Sequence, residues 1–284
     1  IDRSNPRSEK IDVKDFFIRQ IEEYFRKYTP EEIYYKILYE LFHADMELDN
    51  SIEHREDMSL LQTSVIWKTL FTYQQKGVIS LIKMLRKYHG AILADAVGLG
   101  KTFSALAVIK YFQTQNYFTV VLCPKKLEYN WTQYLRRHGS RFEKDEFDYI
   151  VRFHTDLQND RLESSYNDAK LSYLQSRKKV LVVIDESHNL RNEKSNRYQE
   201  LLSELIQNQS GQEPRDVKVL MLSATPINTG LNDVKGQFNL IGHGQDNAFD
   251  NDVFGIESLN SLFKIAQNKY TQWCNDPDRT IGSF

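Results

Sequence analysis

The architecture of this chain is set by eight residues, Asp95-Ala96-Val97-Gly98-Leu99-Gly100-Lys101-Thr102. The apolar run Ala91–Ala94 precedes them and the helical run Phe103–Phe112 follows, so the order is strand, loop, helix. Gly98 and Gly100 allow the loop backbone to curl until successive N–H groups point to one place, where the start of the helix adds a partial positive charge. This arrangement predicts a loop that binds phosphate groups.

The polar residues at the end of the loop extend this prediction. Lys101 can reach the β- and γ-phosphates of a nucleotide as a point charge, and the Thr102 hydroxyl can ligate Mg²⁺. The usual phosphate-loop pattern has Gly where this chain has Asp95. Kinases, GTPases, transporters and helicases share such loops, so the loop alone does not name a reaction. The candidate nucleotide-binding residues here are Gly98, Leu99, Gly100, Lys101, Thr102 and Phe103.

Four further short apolar runs follow, separated by helical stretches. Each has the length of a buried strand. Strands that alternate with helices favour right-handed crossovers, and hence an α/β fold with a parallel sheet flanked by helices on both faces. The runs are Thr119–Cys123, Tyr149–Val151, Val180–Ile184 and Val217–Leu222.

Two carboxylates, Asp185 and Glu186, come directly after the run Val180–Ile184. The carboxyl end of a parallel strand faces the crevice where a nucleotide binds. Asp185 can hold Mg²⁺ there through the water shell of the ion, and Glu186 can orient and deprotonate an attacking water. We therefore predict Lys101, Asp185 and Glu186 as catalytic residues and Thr102 and Asp185 as metal ligands.

Small hydroxyl residues follow the last strand, in Ser223-Ala224-Thr225-Pro226. By itself this tetrapeptide is typical of a plain turn. After the two preceding motifs, we expect Ser223 and Thr225 to hydrogen-bond the segment Asp185–His188 and to respond to the γ-phosphate.

These three motifs together resemble helicase superfamily two, and their wording resembles its SWI/SNF-type DNA translocases, especially bacterial members. The resemblance runs from Phe71 to about Ile241. It implies a RecA-like lobe, ATP as the nucleotide, and Gln74 as the residue that recognises the adenine edge. Asp95 is the residue that this family shows at its place in the loop.

The resemblance also assigns roles outside the phosphate loop. It implies that His188 couples the nucleotide site to Ser223 and Thr225. It further implies that Val120–Pro124, followed by Trp131, lies against the DNA backbone. From the residues alone, Trp131 is equally a core aromatic.

The function that the resemblance implies is a motor that couples ATP hydrolysis to movement on duplex DNA. One alternative is an RNA helicase lobe with the same ATP chemistry. Another is a nucleotide-gated DNA-binding module without turnover, against which the presence of both Lys101 and Glu186 argues. A GTPase would use Asn268-Lys269-Tyr270-Thr271 to read guanine, but Thr271 stands where that motif needs Asp.

Charge is distributed unevenly along the chain, although the net charge is −2. Residues 71–141 carry 11 Lys and Arg against 2 Asp and Glu, whereas residues 1–70 carry 10 against 15. Clustered positive charge is what a polyanion binder needs. The candidate DNA-binding residues are Lys125, Lys126, Arg136 and Arg137, with solvated surface as the alternative.

Composition excludes two other classes of protein. Hydrophobic residues make up 40% and charged residues 27%, with a mean hydropathy of −0.56, which argues against disorder and against a membrane protein. Cys123 and Cys274 cannot build a disulfide framework, and no Cys or His spacing predicts a zinc site. We expect a cytoplasmic protein with no membrane partner.

The chain divides into a helical N-terminal region at 1–70, a RecA-like ATP-binding lobe at 71–245 and a helical extension at 246–284. The extension ends 58 residues after Pro226, so we expect the second RecA-like lobe, with its arginine finger, to lie outside this sequence. ATP turnover by these residues alone should then be nearly absent. Candidate packing residues of the extension are Leu259, Leu262, Phe263 and Ile265.

Two features suggest a piece of a longer protein. The sequence begins with Ile1 rather than Met. Some bacterial relatives carry a nuclease domain upstream, which would need a His-x-Lys motif. No His here has Lys two positions later, so we expect any such domain outside this sequence.

Overall fold

In the part of the chain that the structure describes, five parallel strands form one sheet in the computed structural model of this protein. The structure describes residues 56–136, 139–158, 176–190, 192–207, 214–225, 231–250 and 255–275. The strands are β1 (Gly90–Leu93), β2 (Phe118–Cys123), β3 (Ile150–Phe153), β4 (Lys179–Asp185) and β5 (Asp216–Leu222). Their order across the sheet is β1-β5-β4-β2-β3. The predicted α/β fold with a parallel sheet is confirmed, and every predicted strand is present.

Helices cover both faces of this sheet, which is why its strands are continuously apolar. In β4, every residue from Val180 to Asp185 is buried. The α-helices are α1 (Glu56–Thr63), α2 (Val65–Thr69), α3 (Thr72–Tyr88), α4 (Lys101–Thr114), α5 (Glu128–Thr132), α6 (Asn196–Glu200), α7 (Leu231–Ile241) and α8 (Leu259–Asn275). A π-helical turn, Leu201–Ile206, continues α6.

One face packs against α3 and α4, and the other packs against α6, the π-helical turn, α7 and the start of α8. On the second face, Tyr198, Leu205 and Leu240 contact a layer of strand residues that includes Val182 and Val219. Helices cover both faces of the sheet, so polar groups of the strands reach solvent mainly at the ends of the strands. All described strands begin at one edge of the sheet, the amino edge, and end at the other, the carboxyl edge.

Several sequence predictions fall outside the described residues. They are the part of the predicted helical N-terminal region up to residue 55, Arg137 and Pro226. Two described helices of the predicted N-terminal region, α1 and α2, pack against α4 of the lobe. The domain boundaries at 70/71 and 245/246 stay predictions.

The C-terminal helix α8 contacts the lobe with only part of its apolar surface. Leu259 is buried and Phe263 packs against the core, as predicted. Leu262 and Ile265 are exposed, so their prediction as packing residues is wrong. Within the described ranges, no helix is both long and apolar enough to cross a bilayer.

Candidate nucleotide site

The predicted phosphate loop connects the end of β1 to the start of α4. Gly98 and Gly100 have φ angles of +87° and +77°, a region that side chains with a Cβ rarely adopt. Gly100 caps α4, and its carbonyl accepts the Phe103 N–H at 2.9 Å. The Lys101 ammonium folds over the loop and donates to the carbonyls of Asp95, at 2.8 Å, and Ala96, at 3.2 Å. The ammonium group of Lys101 and the N-terminus of α4 therefore lie at the same loop.

Gln74 ties the start of α3 to this loop. Its side-chain oxygen accepts the Phe71 N–H at 3.0 Å, and its Nε2 donates to the Leu99 carbonyl at 3.1 Å. The side chain is only 6% exposed. A Cβ at Gly100 would lie 2.6 Å from Gln74 Nε2, so the glycine is required by close approach as well as by its φ angle. Gln74 thus shapes the loop, and its adenine recognition stays a prediction.

Asp185 ends β4 as a buried carboxylate with both oxygens bound by the protein. Its Oδ2 accepts the Trp131 indole N–H at 2.9 Å, and its Oδ1 accepts the Glu186 N–H at 3.0 Å. Burial raises the pKa of Asp185, while the Trp131 hydrogen bond and the positive charge of Lys101 oppose that rise. The structure therefore brings the predicted metal ligand into the electrostatic field of the predicted phosphate-binding lysine.

Glu186 occupies a strained backbone position one residue later. Its φ is +53°, in the left-handed region that costs a non-glycine residue about 1 kcal/mol or more. Strain of this kind is concentrated at functional sites. The Glu186 Oε2 lies 3.3 Å from His188 Nδ1, and the same nitrogen lies 3.3 Å from Ser223 Oγ. One imidazole nitrogen thus stands between the predicted base and Ser223 at the end of β5.

The end of β5, where Ser223 lies, is hydrogen-bonded to the end of β1. The Ser223 N–H donates to the Leu93 carbonyl at 3.1 Å, and the Ser223 Oγ accepts the Thr225 N–H at 3.1 Å. Ser223 is fully buried, whereas Thr225 is exposed. Of the predicted coupling residues, His188 and Ser223 make a direct contact, and Thr225 joins them through its backbone.

Three of the predicted DNA-binding residues, Lys125, Lys126 and Arg136, lie in the described part of the chain, at opposite ends of the strands. Lys125 and Lys126 are exposed in a turn directly after β2, at the same edge as the phosphate loop. Arg136 pairs with Glu146 at 3.2 Å, and the Glu146 carbonyl accepts from Gln113, near the end of α4. Because α4 begins at the phosphate-loop edge and ends at the opposite one, Arg136 lies far from the two lysines. DNA binding by these residues stays a prediction.

Two aromatic features of the site escaped the sequence analysis. Phe71 and Tyr73 stack with 6.0 Å between ring centroids beside the loop, and the Tyr73 hydroxyl lies 3.4 Å from the Leu99 carbonyl. Both rings are more than half exposed, at 69% and 53%. Phe103 packs its ring against Tyr134 and Phe142, and its predicted nucleotide binding stays a prediction. The hydrogen bond from Trp131 to Asp185 also had no signal in the sequence.

The residues present fit a nucleotide with a divalent cation. Open space lies over Gly98, where an added Cβ would meet nothing within 4 Å. An ammonium group, the start of a helix and a loop with two positive-φ glycines suit phosphate oxygens. The oxygens of Asp185 and Thr102 are the hard donors that Mg²⁺ prefers.

In the described part of the chain, the phosphate loop follows β1, an outer strand of a five-stranded parallel sheet, and the two carboxylates follow the central strand β4. This arrangement defines a P-loop α/β lobe. The chain belongs to the SNF2-related domain family, which it matches over residues 73–254. This confirms the resemblance to SWI/SNF-type proteins of helicase superfamily two. The expectation of a bacterial member stays a prediction.

Relatives of this chain carry ATPase or helicase names. The chain is 28% identical over 200 residues to the chromatin-remodeling ATPase INO80 of Debaryomyces hansenii, which covers 63% of this chain and 14% of that protein. It is 31% identical over 179 residues to the chromodomain-helicase-DNA-binding protein 1-like of Danio rerio, with coverages of 57% and 16%. The chain therefore spans a small part of the length of these curated relatives.

A solved structure is also similar. The SWI2/SNF2 ATPase core of Sulfolobus solfataricus in complex with dsDNA matches with 21% identity and a TM-score of 0.47. The match covers 69% of this chain and 42% of that one.

Proposed function

We propose that this chain is the ATP-binding lobe of a DNA-dependent ATPase that moves on duplex DNA. The observation that carries this proposal is the meeting of three strand ends. The phosphate loop follows β1, Asp185 and Glu186 follow β4, and Ser223 follows β5, and these three strands are neighbours in the sheet. Family membership and the names of the relatives support ATP as the nucleotide.

In this proposal the phosphate loop binds the β- and γ-phosphates. Its backbone N–H groups and the Lys101 ammonium supply donors, and a phosphate oxygen is a stronger partner for an ammonium than the carbonyls that Lys101 now contacts. Thr102 and Asp185 would hold Mg²⁺, which when bound neutralises phosphate charge. Glu186 accepts the proton of the attacking water.

His188 would couple the nucleotide site to Ser223 at the end of β5. Its Nδ1 lies 3.3 Å from both Glu186 Oε2 and Ser223 Oγ, so in the tautomer with a hydrogen on Nδ1 this N–H can favour either oxygen. When Glu186 takes a proton, its attraction for that N–H weakens, and the bond to Ser223 is favoured. The Glu186-His188-Ser223 chain therefore supports the predicted coupling.

The proposed partners are duplex DNA and a second RecA-like lobe of the same protein. Lys125 and Lys126 are exposed at the end of β2, on the side of the sheet that carries the phosphate loop. Their exposure supports contacts with DNA phosphates, because DNA bound there would lie on the same side of the lobe as the nucleotide. The proposal includes a cytoplasmic location, which follows from the composition, and an upstream nuclease domain in the full-length protein, which follows from the resemblance. RNA in place of DNA is the alternative.

The nucleotide site can be tested by two variants that fail differently. Lys101→Ala removes the charge that faces the phosphates, so we expect ATP affinity to fall at least 10-fold. Glu186→Gln keeps the shape and removes the base, so ATP should bind with unchanged affinity while hydrolysis by the full-length protein stops. Lys269→Ala, on the exposed part of α8, is the control. Calorimetry on each variant measures the affinity, and equal losses for Lys101→Ala and Glu186→Gln would refute the assigned roles.

The nucleic-acid partner is tested in the full-length protein. Duplex DNA should raise ATP turnover, and single-stranded RNA should not. Greater stimulation by RNA would favour the alternative, and stimulation by neither would refute the motor.

A further inference from the structure

Trp131 is a fully buried tryptophan that donates its only polar hydrogen to a buried carboxylate. The distance from its Nε1 to Asp185 Oδ2 is 2.9 Å, and both side chains are buried. An indole N–H is a donor with no acceptor capacity, so the Trp131 nitrogen cannot ligate a cation. Its polar atom can act only on the group that it contacts.

A second aromatic residue, Tyr149, contacts Trp131. The Tyr149 hydroxyl donates to the Trp131 carbonyl at 2.6 Å, and the two rings pack edge to face with 6.2 Å between centroids. Trp131 belongs to α5 and Tyr149 directly precedes β3, so two separate elements fix the donor. A donor that cannot move imposes one orientation on its acceptor.

The second Asp185 oxygen is held by the backbone. Oδ1 accepts the N–H of Glu186 at 3.0 Å. The Asp185 carboxylate therefore has one donor on each oxygen and keeps a free lone pair on each. Without the indole, the bond from Glu186 is the one that would remain among the described residues, and the carboxylate plane could rotate about that bond.

We propose that Trp131 is a positioning residue that orients the Asp185 carboxylate for the divalent cation of the nucleotide site. The inference rests on the proposed function, because it requires that a nucleotide and a cation bind there. Partners that orient the ligands of a metal change metal affinity by about 10- to 100-fold when they are removed. A tryptophan that served only for packing would not change the effect of the cation.

The test separates the indole N–H from the bulk of the ring. Trp131→Phe removes the donor and keeps an aromatic ring. A second variant, with benzothienylalanine at position 131, replaces the N–H with sulfur and retains the two-ring shape, so it stays informative if the phenylalanine variant does not fold. Tyr149→Phe is the matched control, since it loses a buried hydrogen bond to the Trp131 backbone but keeps the ring that packs against the indole, and it does not touch Asp185.

The readout is the affinity for a fluorescent ATP analogue in Mg²⁺ divided by its affinity in EDTA. We expect this ratio to fall about 10-fold in both position-131 variants and to stay at the wild-type value in Tyr149→Phe. Affinity in EDTA should be unchanged throughout. An unchanged ratio in the benzothienylalanine variant overturns the positioning role. A wild-type protein that binds no analogue in either buffer overturns the proposed function, and the inference falls with it.

Discussion

Adding one methyl group at either glycine of the phosphate loop separates backbone strain from steric conflict. Gly98→Ala places a Cβ in open space, so its cost is the positive φ alone, about 1 kcal/mol. Gly100→Ala carries the same cost and also brings a Cβ to 2.6 Å from Gln74 Nε2. Gln74 must then withdraw and lose its bonds to Phe71 and Leu99, about 1 kcal/mol each. We expect a total of about 3 kcal/mol for Gly100→Ala.

Urea unfolding of the two variants measures these free energies directly. Adding Gln74→Ala provides an internal check, because in the Gly100→Ala background its two hydrogen bonds are already lost. Gln74→Ala should therefore cost about 1–2 kcal/mol less in that background than in the wild type. Equal costs for Gly98→Ala and Gly100→Ala, or additive effects of Gln74→Ala and Gly100→Ala, would refute the close approach of Gln74 to the loop.

Two further predictions concern DNA and pH. If Lys125 and Lys126 contact DNA phosphates, replacing both with Ala should make DNA affinity less dependent on salt, by about two released counterions. Arg136→Ala should leave the salt dependence nearly unchanged. A larger effect of Arg136→Ala than of the double variant, in a titration from about 50 to 200 mM salt, would contradict this placement. Burial lowers the pKa of His154 to about 4, so this histidine is neutral when folded and takes up a proton when unfolded as the pH falls below about 6.5. The free energy of unfolding should therefore fall between pH 6.5 and 4, and His154→Asn should reduce this pH dependence; equal slopes for variant and wild type in urea titrations would exclude His154 as a source.

The strands and the ligand-bearing strand ends could be predicted from the sequence because they rest on local patterns. A strand covered on both faces is a short unbroken apolar run, as in Val180–Ile184, and the first polar residue after it marks its end. Asp185 and the phosphate loop could thus be assigned to one edge without knowledge of the strand order. Parallel strands with helical crossovers bring all their carboxyl ends to the same edge.

Contacts between distant residues could not be predicted in this way. Trp131 and Asp185 are 54 positions apart, and only the adjacency of β2 and β4 brings α5 beside the end of β4. The four basic residues predicted for DNA appeared as one group because they are close in sequence. Arg136 lies beyond α5, and the nine residues that separate it from Lys126, mostly helical and turn backbone, are enough to carry it toward the opposite end of the strands.

Exposure of Leu262 and Ile265 has a similar origin. An amphipathic pattern in α8 identifies a face that can be buried, but it does not say how much of that face finds a partner. In the described residues, the apolar contacts of α8 are concentrated at its start, where Leu259 and Phe263 meet the core.

The place of β1 in the sheet has a consequence for the order in which the protein folds. Among the described strands, β1 pairs only with β5, although β1 comes first along the chain and β5 comes last. A ribosome must therefore release residues beyond Leu222 before the strand that bears the phosphate loop can join the sheet. Such long-range pairing is slow, because the loop between the partners must close first. A nascent chain then acquires its nucleotide site in one late step, and nucleotide binding reports that the last strand has entered the sheet.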